Sequence, residues 1–386
     1  MWKAFRAVAI FLVVGAIALE FFAFLLSKGG LLLVNSTPAI YLGLQSGHGF
    51  EWRTEDSPWG PWHKPNAVSR HKTDCFDVTY RSNSIGARDV EFGVRQSSKR
   101  RIVLLGDSFA EAMGVSLEKS AQSVIEATLN AEVLNFGASG GLGPVQYQLI
   151  YEQLARNYEH DGLVIFFLPA NDFSDNDYSQ WLGNGATYFA EGLEKYRPYY
   201  RKIAEDSYEV FYPPNAVKRS RWLQTSRDGS ISLGENLKLA LATYFWTANV
   251  LKTAKYAVHG NPWAAKEPQK IEPSGYFDAQ LEQQKAAIHF LKKTIESSPA
   301  KQVILVSIPV PSDFARIRSG SIPKDQYWHR QFRDIEAASN GRTTFVDLAD
   351  FAPPDTGALF HACDFHWSEL GNRWAGEVVA RAFAGR

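Results

Sequence analysis

The sequence has few cysteines, no excess of charge of either sign, and no internal repeats or low-complexity tracts. Two cysteines in 386 residues are too few for a disulfide-rich scaffold or a Cys-rich zinc module. Lys and Arg together number 41, as do Asp and Glu, so the formal net charge is zero. A balanced charge argues against a protein whose main task is to bind nucleic acid or to coat an anionic membrane.

The composition is otherwise that of a folded protein with many aromatic side chains. Hydrophobic residues make up 45% of the chain and charged residues 21%, which excludes general disorder. Aromatic residues reach 13%, and several tryptophans fall in a Trp-, Pro- and His-rich segment at residues 45–75. Three prolines and several glycines in this segment argue against a long helix or a central strand. We therefore expect an ordered wrap packed on a domain; a carbohydrate-stacking surface is the alternative.

The N-terminal region contains an apolar run, Ala7–Leu26, that is interrupted by one charge, Glu20. About 20 apolar residues at a rise of ~1.5 Å cross the hydrocarbon core of a bilayer. Lys3 and Arg6 precede the run, so the positive-inside tendency predicts a cytoplasmic N-terminus and an exported remainder. The alternative is a cleaved signal peptide with its site at residues 16–18. The anchor is favoured because the apolar run continues beyond that site.

Glu20 requires its own explanation, because an ionisable side chain inside a spanning helix is costly and usually faces a partner or water. One interpretation places it near the outer headgroups or leaves it protonated. The other is a contact with a second membrane protein.

From residue 101 onward, continuous apolar strands alternate with helices. The predicted strands are Arg101–Leu105, Glu132–Phe136, Leu163–Leu168, Gln302–Ile308 and Thr343–Leu348. The predicted helices cover about 117–129, 145–157, 279–296, 325–338 and 369–383. Fully apolar strands in this alternation form a parallel sheet covered on both faces. The sequence therefore predicts a three-layer α/β/α, flavodoxin-like sandwich with a five-stranded parallel sheet.

The alternation stops at residues 173–273, which we interpret as one large insertion that caps an end of the sheet. Within it, 197–214 resembles a hairpin and 236–259 an amphipathic helix. The predicted organisation is an N-terminal membrane anchor (1–35), a Trp/Pro-rich lead-in (36–100), and one α/β domain (101–386) that contains the insertion.

Three strand ends and one loop carry residues suited to acyl transfer. Ser108, Gly137 and Asn171 follow the first three predicted strands, and ligands of such sheets bind beyond the carboxyl ends of the strands. The loop after the fifth strand contains Asp364 and His366, two positions apart, so that their side chains project to the same side of an extended segment. Ser108 is the candidate nucleophile, His366 its general base, and Asp364 the carboxylate that orients the imidazole.

The candidate oxyanion hole consists of the Ser108 N–H, the Gly137 N–H and the side-chain amide of Asn171. A glycine suits this position because the missing Cβ lets the backbone approach a substrate. Ser108 also opens a helical region, whose N-terminal dipole favours developing negative charge. No His, Cys or carboxylate set has the spacing of metal ligands, so we expect no metal and no cofactor.

These residues together resemble the SGNH (GDSL-type) hydrolase family. The resemblance rests on Gly106-Asp107-Ser108-Phe109, Gly137, Asn171-Asp172 and the Asp364/His366 pair, and covers roughly residues 80–175 and 300–383. It implies Ser108, Gly137, Asn171 and His366 as the four positions that name the family, with Asp364 completing the triad. The sequence departs from the family in having Pro169 where a glycine is usual, and in separating Asp and His by two positions rather than three.

The shorter Asp–His spacing, followed by Trp367, resembles the SGNH proteins of bacterial polysaccharide O-acetylation. Asn83–Asp89 and Asn135–Gly140 further resemble membrane-anchored bacterial members. The resemblance implies a single-pass protein of the bacterial inner membrane whose catalytic domain lies in the periplasm or outside the cell. It also implies an acylated carbohydrate or acyl donor as substrate. A transferase would further need a membrane acyltransferase partner to deliver the acyl group.

We therefore expect an enzyme that transfers or hydrolyses O-acyl groups, in the first place O-acetyl groups, through an acyl-Ser108 intermediate. The sequence leaves the choice between esterase and acetyltransferase open, together with the identity of the sugar. The alternative function is a non-catalytic carbohydrate-binding or assembly protein on the same fold.

The two cysteines lie in regions that can meet. Cys75 belongs to the lead-in and Cys363 directly precedes Asp364. In an oxidising compartment they can form a disulfide that ties the catalytic loop to the wrap. Two separate buried thiols are the alternative.

Overall fold

The computed structural model describes most of the chain. The described ranges are 2–28, 52–72, 75–179, 197–212, 245–247, 250–251, 254, 274–320, 324–362 and 364–385. Before the sheet, the described residues form one long helix and two short antiparallel hairpins: α1 (Trp2–Lys28), β1 (Arg53–Ser57), β2 (Gly60–His63), β3 (Val68–Lys72) and β4 (Asp77–Arg81). The part of the lead-in that the structure describes thus contains two short strand pairs, in keeping with its prolines.

The α/β domain follows in the predicted alternation. Its first half contains β5 (Arg101–Leu105), α2 (Ala121–Leu129), β6 (Glu132–Asn135), α3 (Pro144–Gln153), β7 (Gly162–Phe167) and α4 (Asp172–Asp175). The insertion contributes the hairpin β8 (Tyr199–Ala204) and β9 (Ser207–Phe211). The second half contains α5 (Gly275–Asp278), α6 (Leu281–Ser297), β10 (Gln302–Ser307), α7 (Pro311–Ser319), α8 (Tyr327–Ala338), β11 (Thr343–Asp347) and α9 (Glu369–Ala384).

The five core strands pair in the order β11-β10-β7-β5-β6, and every neighbouring pair is parallel. Numbered along the chain, this order is 2-1-3-4-5, the doubly wound order of flavodoxin-like sheets. Val103 and Ile165 face the helices α3, α6 and α8, whereas Ile102 and Leu104 face α2 and α9. The predicted three-layer α/β/α sandwich with a five-stranded parallel sheet is confirmed.

Helix α7 is not among the helices predicted from the sequence. It begins at Pro311, four residues after β10 ends, and proline at a first helical position costs no hydrogen bond. It ends before Gly320, whose positive φ of 63° terminates the helix in the left-handed conformation. A proline so close to the end of a strand equally favours a loop, so the sequence alone does not predict this helix.

The lead-in is a wrap packed on the chain segment that follows Ser108. The Tyr80 hydroxyl accepts a hydrogen bond from the Gly114 N–H at 2.9 Å. The buried Arg88 guanidinium donates to the backbone carbonyls of Glu111, Ala112 and Val115 and lies over the Tyr80 ring. The wrap therefore supports the backbone that continues from the candidate nucleophile.

The hairpin predicted in the insertion is present as β8 and β9, and it turns at residues 205–206. It rests on the start of α6, where Tyr208 and Lys202 both bond Glu282. Most of the helix predicted at 236–259 lies outside the described residues; residues 246–247, 250–251 and 254 are helical.

Helix α1 contains a stretch, Phe5–Leu26, that is long and apolar enough to cross a membrane and is almost entirely exposed. A signal sequence near an N-terminus has the same properties, so the anchor remains a prediction.

Arg88 provides a test of the wrap. Arg88→Met removes the charge and takes the guanidinium donor away from three buried carbonyls, so we expect a loss of about 3 kcal/mol in the free energy of unfolding. Thermal unfolding of the full chain in detergent, followed by near-UV circular dichroism, measures it. Arg95→Met, at an exposed position of the same segment, is the matched control. Equal unfolding temperatures for the two variants would show that Arg88 does not fasten the wrap.

Candidate active site

Ser108, His366 and Asp364 form a continuous hydrogen-bonded relay. The distance from Ser108 Oγ to His366 Nε2 is 2.8 Å, and that from His366 Nδ1 to Asp364 Oδ1 is 2.5 Å. The same Asp364 oxygen accepts the backbone N–H of His366 at 3.0 Å. The carboxylate thereby fixes both the position of the histidine backbone and the orientation of its ring. With Nδ1 donating to Asp364, Nε2 is the nitrogen that accepts the Ser108 proton.

Ser108 is positioned by a sharp bend where β5 ends. Gly106 has a φ of 156°, and a Cβ there would lie 2.7 Å from the Ala110 Cβ and 2.9 Å from the Phe166 Cβ. The bend is closed by the Asp107 carboxylate, whose Oδ1 accepts the Phe109 N–H at 3.0 Å. A glycine is therefore required before Asp107 so that Ser108 can face the edge of the sheet.

His366 is held on a short closed loop. Phe360 and Trp367 form an antiparallel bridge, and the His361 N–H donates to the His366 carbonyl at 3.0 Å. Trp367 is buried and packs edge-on against Phe109 at 4.8 Å. The tryptophan next to the histidine thus anchors the loop against the residue next to the serine.

The electrostatics of the site favour a protonatable histidine. Burial acts to lower the pKa of His366, but the charge and hydrogen bond of Asp364, with further contributions from Asp107 and Glu111, raise it above its ordinary value. Burial acts to raise the pKa of Asp364, but the His366 charge and hydrogen bonds outweigh it and hold this pKa below the ordinary value. An imidazolium that forms during a reaction is therefore stabilised.

Asp107 and Asp172 hold loops rather than facing Ser108. Burial raises the pKa of Asp107 to about 7. Burial and the nearby Asp107 charge raise the pKa of Asp172 well above its ordinary value. Asp172 accepts the Leu168 N–H at 2.8 Å and the Tyr147 hydroxyl at 2.9 Å, which fixes the turn after β7.

The turn that carries Asn171 keeps its shape despite Pro169. The backbone N–H groups of Asn171 and Asp172 both donate to the Leu168 carbonyl, at 3.2 and 2.9 Å. Gly275, just after the insertion, packs so closely that a Cβ there would lie 1.7 Å from the Pro169 carbonyl oxygen. The start of α5 therefore supports the Asn171 turn from outside.

Two of the three predicted oxyanion donors already have partners within the protein. The Gly137 N–H donates to Asn135 Oδ1 at 2.8 Å, and the Asn171 amide donates to Asp175 Oδ2 at 3.0 Å. Asn171 also lies beside Asp107, whose ionised form it favours. Both groups border the Ser108 segment, yet a substrate oxygen would have to share or replace these bonds. The oxyanion assignment of Ser108, Gly137 and Asn171 stays a prediction.

Gly137 is required for a reason that the sequence analysis did not give. A Cβ at this position would lie 2.5 Å from the Ala110 Cβ and 2.6 Å from the Glu111 backbone nitrogen. The glycine thus admits the helical turn that follows Ser108. This packing is a sufficient reason for glycine, whether or not a substrate approaches there.

Glu111 is a residue of the site that the sequence analysis missed. It is fully buried, accepts the Ser139 backbone N–H, and lies 3.7 Å from His63 Nε2 of the lead-in. It therefore links the turn after Ser108, the loop after Gly137 and the wrap. Nothing in the sequence distinguishes Glu111 from other carboxylates, because its partners come together only in the folded chain.

The lead-in also reaches the loop that carries Asp364 and His366. Phe76 packs on the His361 ring at 4.9 Å, and the charge of His71 lowers the pKa of Asp364. Cys75 is disulfide-bonded, and the chain has one other cysteine, Cys363, which lies outside the described residues.

No group of three His, Cys, Asp or Glu side chains that could hold a metal ion lies together in the described part of the chain. The expectation that the protein needs no metal and no cofactor therefore stays a prediction.

No protein-family model matches the chain, and no curated protein matches it. Solved structures do match it. A lipase/acylhydrolase from Enterococcus faecalis is 15% identical, with 74% of this chain and 96% of that chain covered and a TM-score of 0.37. A member of the lipolytic protein G-D-S-L family from Veillonella parvula is 13% identical, with 74% and 98% covered and a TM-score of 0.36.

A third match is a carbohydrate esterase family 2 enzyme with a carbohydrate-binding domain from Corynascus thermopiles (Myceliophthora fergusii). It is 15% identical, with 77% of this chain and 68% of that chain covered and a TM-score of 0.35. Identities and TM-scores this low carry no argument about function. The fold is therefore assigned from the strand order of the sheet, and the candidate chemistry is inferred from the Asp364–His366–Ser108 relay.

The raised pKa of His366 predicts the pH dependence of any reaction that uses it as a base. The neutral ring accepts the Ser108 proton, so kcat/KM should rise with pH to a plateau, with a midpoint above ~6.5. Asp364→Asn removes the largest charge that raises this pKa, so the midpoint should fall and the rate should drop by roughly 10⁴-fold.

The measurement is hydrolysis of a water-soluble acetyl ester by the full chain between about pH 5 and pH 9. Asp334→Asn, at an exposed position of α8, is the control and should leave the profile unchanged. A midpoint that is the same in Asp364→Asn and the unmodified protein would exclude His366 as the titrating base.

Asn171→Ala tests the oxyanion assignment. If the amide turns from Asp175 to a developing oxyanion, its loss should lower kcat by about 100–1,000-fold with little change in KM. Asn157→Ala, at an exposed position, serves as the control. An unchanged kcat in Asn171→Ala would show that the amide is not an oxyanion donor and serves only as a partner of Asp175 and Asp107.

Proposed function

We propose that the protein is an exported, membrane-anchored serine enzyme that transfers or hydrolyses O-acyl groups, chiefly O-acetyl groups, on a carbohydrate of the cell envelope or an exopolysaccharide. The observation that carries this proposal is the relay from Asp364 through His366 to Ser108, with both hydrogen bonds formed at the carboxyl edge of the sheet. Such an arrangement activates a hydroxyl for attack on a carbonyl carbon.

In the first half of the reaction, Ser108 Oγ attacks the acyl carbonyl while His366 Nε2 takes its proton. The resulting imidazolium is stabilised by Asp364, and the oxyanion by the N–H groups at the edge of the sheet. Collapse of the tetrahedral intermediate breaks the bond to the leaving oxygen, which receives the proton from His366. The products are an acyl-Ser108 ester and a free hydroxyl on the donor.

In the second half, neutral His366 removes a proton from the acceptor oxygen, which attacks the acyl-Ser108 carbonyl. Collapse returns the proton to Ser108 Oγ. With water as acceptor the protein is an esterase, and with a sugar hydroxyl it is an acetyltransferase. The relay serves both acceptors equally, because it acts only on the proton of the attacking oxygen.

Three features support a carbohydrate substrate. The Asp364-Phe365-His366-Trp367 sequence resembles that of polysaccharide O-acetylation proteins, and α1 can hold the domain at the membrane where envelope polymers are made. Phe365 is 51% exposed and stacks on the His366 ring at 4.5 Å. It presents an aromatic face beside the base, on which the apolar face of a sugar ring can pack.

Transfer outside the cytoplasm requires an acyl group delivered across the membrane. A membrane acyltransferase is therefore the partner that the transferase form of the proposal needs, with the protein itself in the bacterial inner membrane and its catalytic domain in the periplasm. The esterase form needs no such partner.

The choice between the two forms is made by product analysis. The full chain in detergent is incubated with O-acetylated polysaccharide, with acetate release measured, and separately with an acetyl ester donor and an unacetylated oligosaccharide, with acetyl transfer measured by mass spectrometry. Release without transfer identifies an esterase. Transfer that exceeds release identifies an acetyltransferase.

Ser108→Ala tests the proposal as a whole. Removing the nucleophile should lower both activities by about a thousandfold or more, because no acyl-enzyme can form. Ser97→Ala, an exposed serine before β5, should leave them unchanged. Full activity in Ser108→Ala would refute the acyl-Ser108 mechanism, and no activity of the unmodified protein on any acetyl ester would favour the non-catalytic alternative.

A further inference from the structure

Glu20, the single charge inside the apolar run of α1, is bonded by the protein's own insertion. Its carboxylate accepts the backbone N–H of Trp246, the backbone N–H of Thr247 at 3.1 Å, and the Thr247 hydroxyl at 2.5 Å. Trp246 and Thr247 begin a helical segment. The free N–H groups at the start of a helix carry partial positive charge, so a carboxylate is a favourable partner for them.

The contact extends along one face of α1. Glu20, Ala23 and Phe24 have the spacing of neighbours on a helix surface. Ala23 is buried, in contrast to the exposed Phe21 and Phe22, and the Phe24 ring packs edge-on against Trp246 at 5.4 Å. The insertion therefore docks on a defined face of α1 through both a polar and an aromatic contact.

The depth of this contact follows from helix geometry. Glu20 lies six residues before Leu26, the end of the apolar stretch, which places it about 9 Å from that end at ~1.5 Å per residue. Where α1 spans a bilayer, Trp246 and Thr247 then lie within the hydrocarbon layer or at its boundary. Phe245 and Leu251 are 47% and 67% exposed, so the docked segment presents large apolar side chains beside those of α1.

We propose that residues 245–247, 250–251 and 254 lie in the membrane leaflet at the Leu26 end of α1, so that the bilayer itself is the partner of this surface. The inference rests on the membrane anchoring contained in the proposed function, and is independent of the reaction at Ser108. Glu20 then has a partner within the same chain. Its carboxylate accepts hydrogen bonds from the N–H groups at the helix N-terminus, and polar groups in hydrocarbon require such partners.

The consequence is a second point of attachment to the membrane. One spanning helix alone would join the α/β domain to the bilayer at a single point of the chain. Residues of the insertion seated in the leaflet join it at a second point, which lies between β9 and α5 in the sequence.

Spin labels on the full chain in lipid nanodiscs test the insertion. p-Acetylphenylalanine is placed in separate samples at Leu251, at Ile17 in α1, and at the exposed Leu281 at the start of α6. Each ketone is condensed with a hydroxylamine nitroxide, which forms a ketoxime-linked spin label and releases water. Collision rates with oxygen, which concentrates in lipid, and with a water-soluble nickel chelate report the environment. We expect the labels at Leu251 and Ile17 to be several-fold less accessible to nickel than the label at Leu281.

The labels at Ile17 and Leu281 show which part of the proposal is wrong. If the Ile17 label is in lipid but the Leu251 label is as accessible to nickel as the Leu281 label, the insertion of residue 251 is overturned and the membrane anchor stands. High nickel accessibility of the labels at both Leu251 and Ile17 would overturn the membrane anchor as well. Neither result bears on hydrolysis of a water-soluble acetyl ester, which is measured on the same samples.

Glu20→Leu tests the role of the carboxylate. It removes all three hydrogen bonds to Trp246 and Thr247, so the Leu251 label should become several-fold more accessible to nickel while the Ile17 label stays in lipid. Val13→Leu, at an exposed position on α1, is the control. Unchanged nickel accessibility at Leu251 in Glu20→Leu would show that the carboxylate does not hold the segment.

Discussion

The hydrogen bond between His366 Nε2 and Ser108 Oγ joins two residues that lie 258 positions apart in the sequence. Ser108 follows β5, the fourth strand of the sheet, whereas His366 follows β11, the first strand at the opposite side. Three strand spacings of ~4.8 Å separate β11 from β5. The loop after β11 must therefore cross the ends of β10 and β7 to reach Ser108.

That crossing depends on how the last helix packs. Helix α9 lies against α2, where Gly376 admits Val124 and the Ala121 carbonyl, and the Asn372 side chain accepts the Ala121 N–H at 3.1 Å. Trp367, just before α9, packs on Phe109, just after Ser108. Helix packing beneath the sheet edge thus brings the histidine to the serine, and small residues at the α2–α9 contact are as necessary to the site as the relay itself.

The core strands could be predicted to within one residue at each end, because fully buried parallel strands are continuous apolar runs bounded by polar residues. The relay residues could be predicted because each follows a strand end or lies in one short loop. The partners of Gly137 and Asn171 could not, since Asn135 and Asp175 are ordinary polar residues until the turns bring them close. The role of Arg88 was equally hidden, because it bonds only backbone carbonyls, which every residue has.

The wrap has a consequence for the order in which the protein becomes complete. Tyr80 and Arg88 bond backbone groups of residues 111–115, so the lead-in has nothing to pack on until that later segment exists. His366 is synthesised 258 residues after Ser108. During synthesis Ser108 is therefore without this hydrogen-bond partner until the loop after β11 has been made. The relay cannot form in any fragment of the chain that ends before that loop.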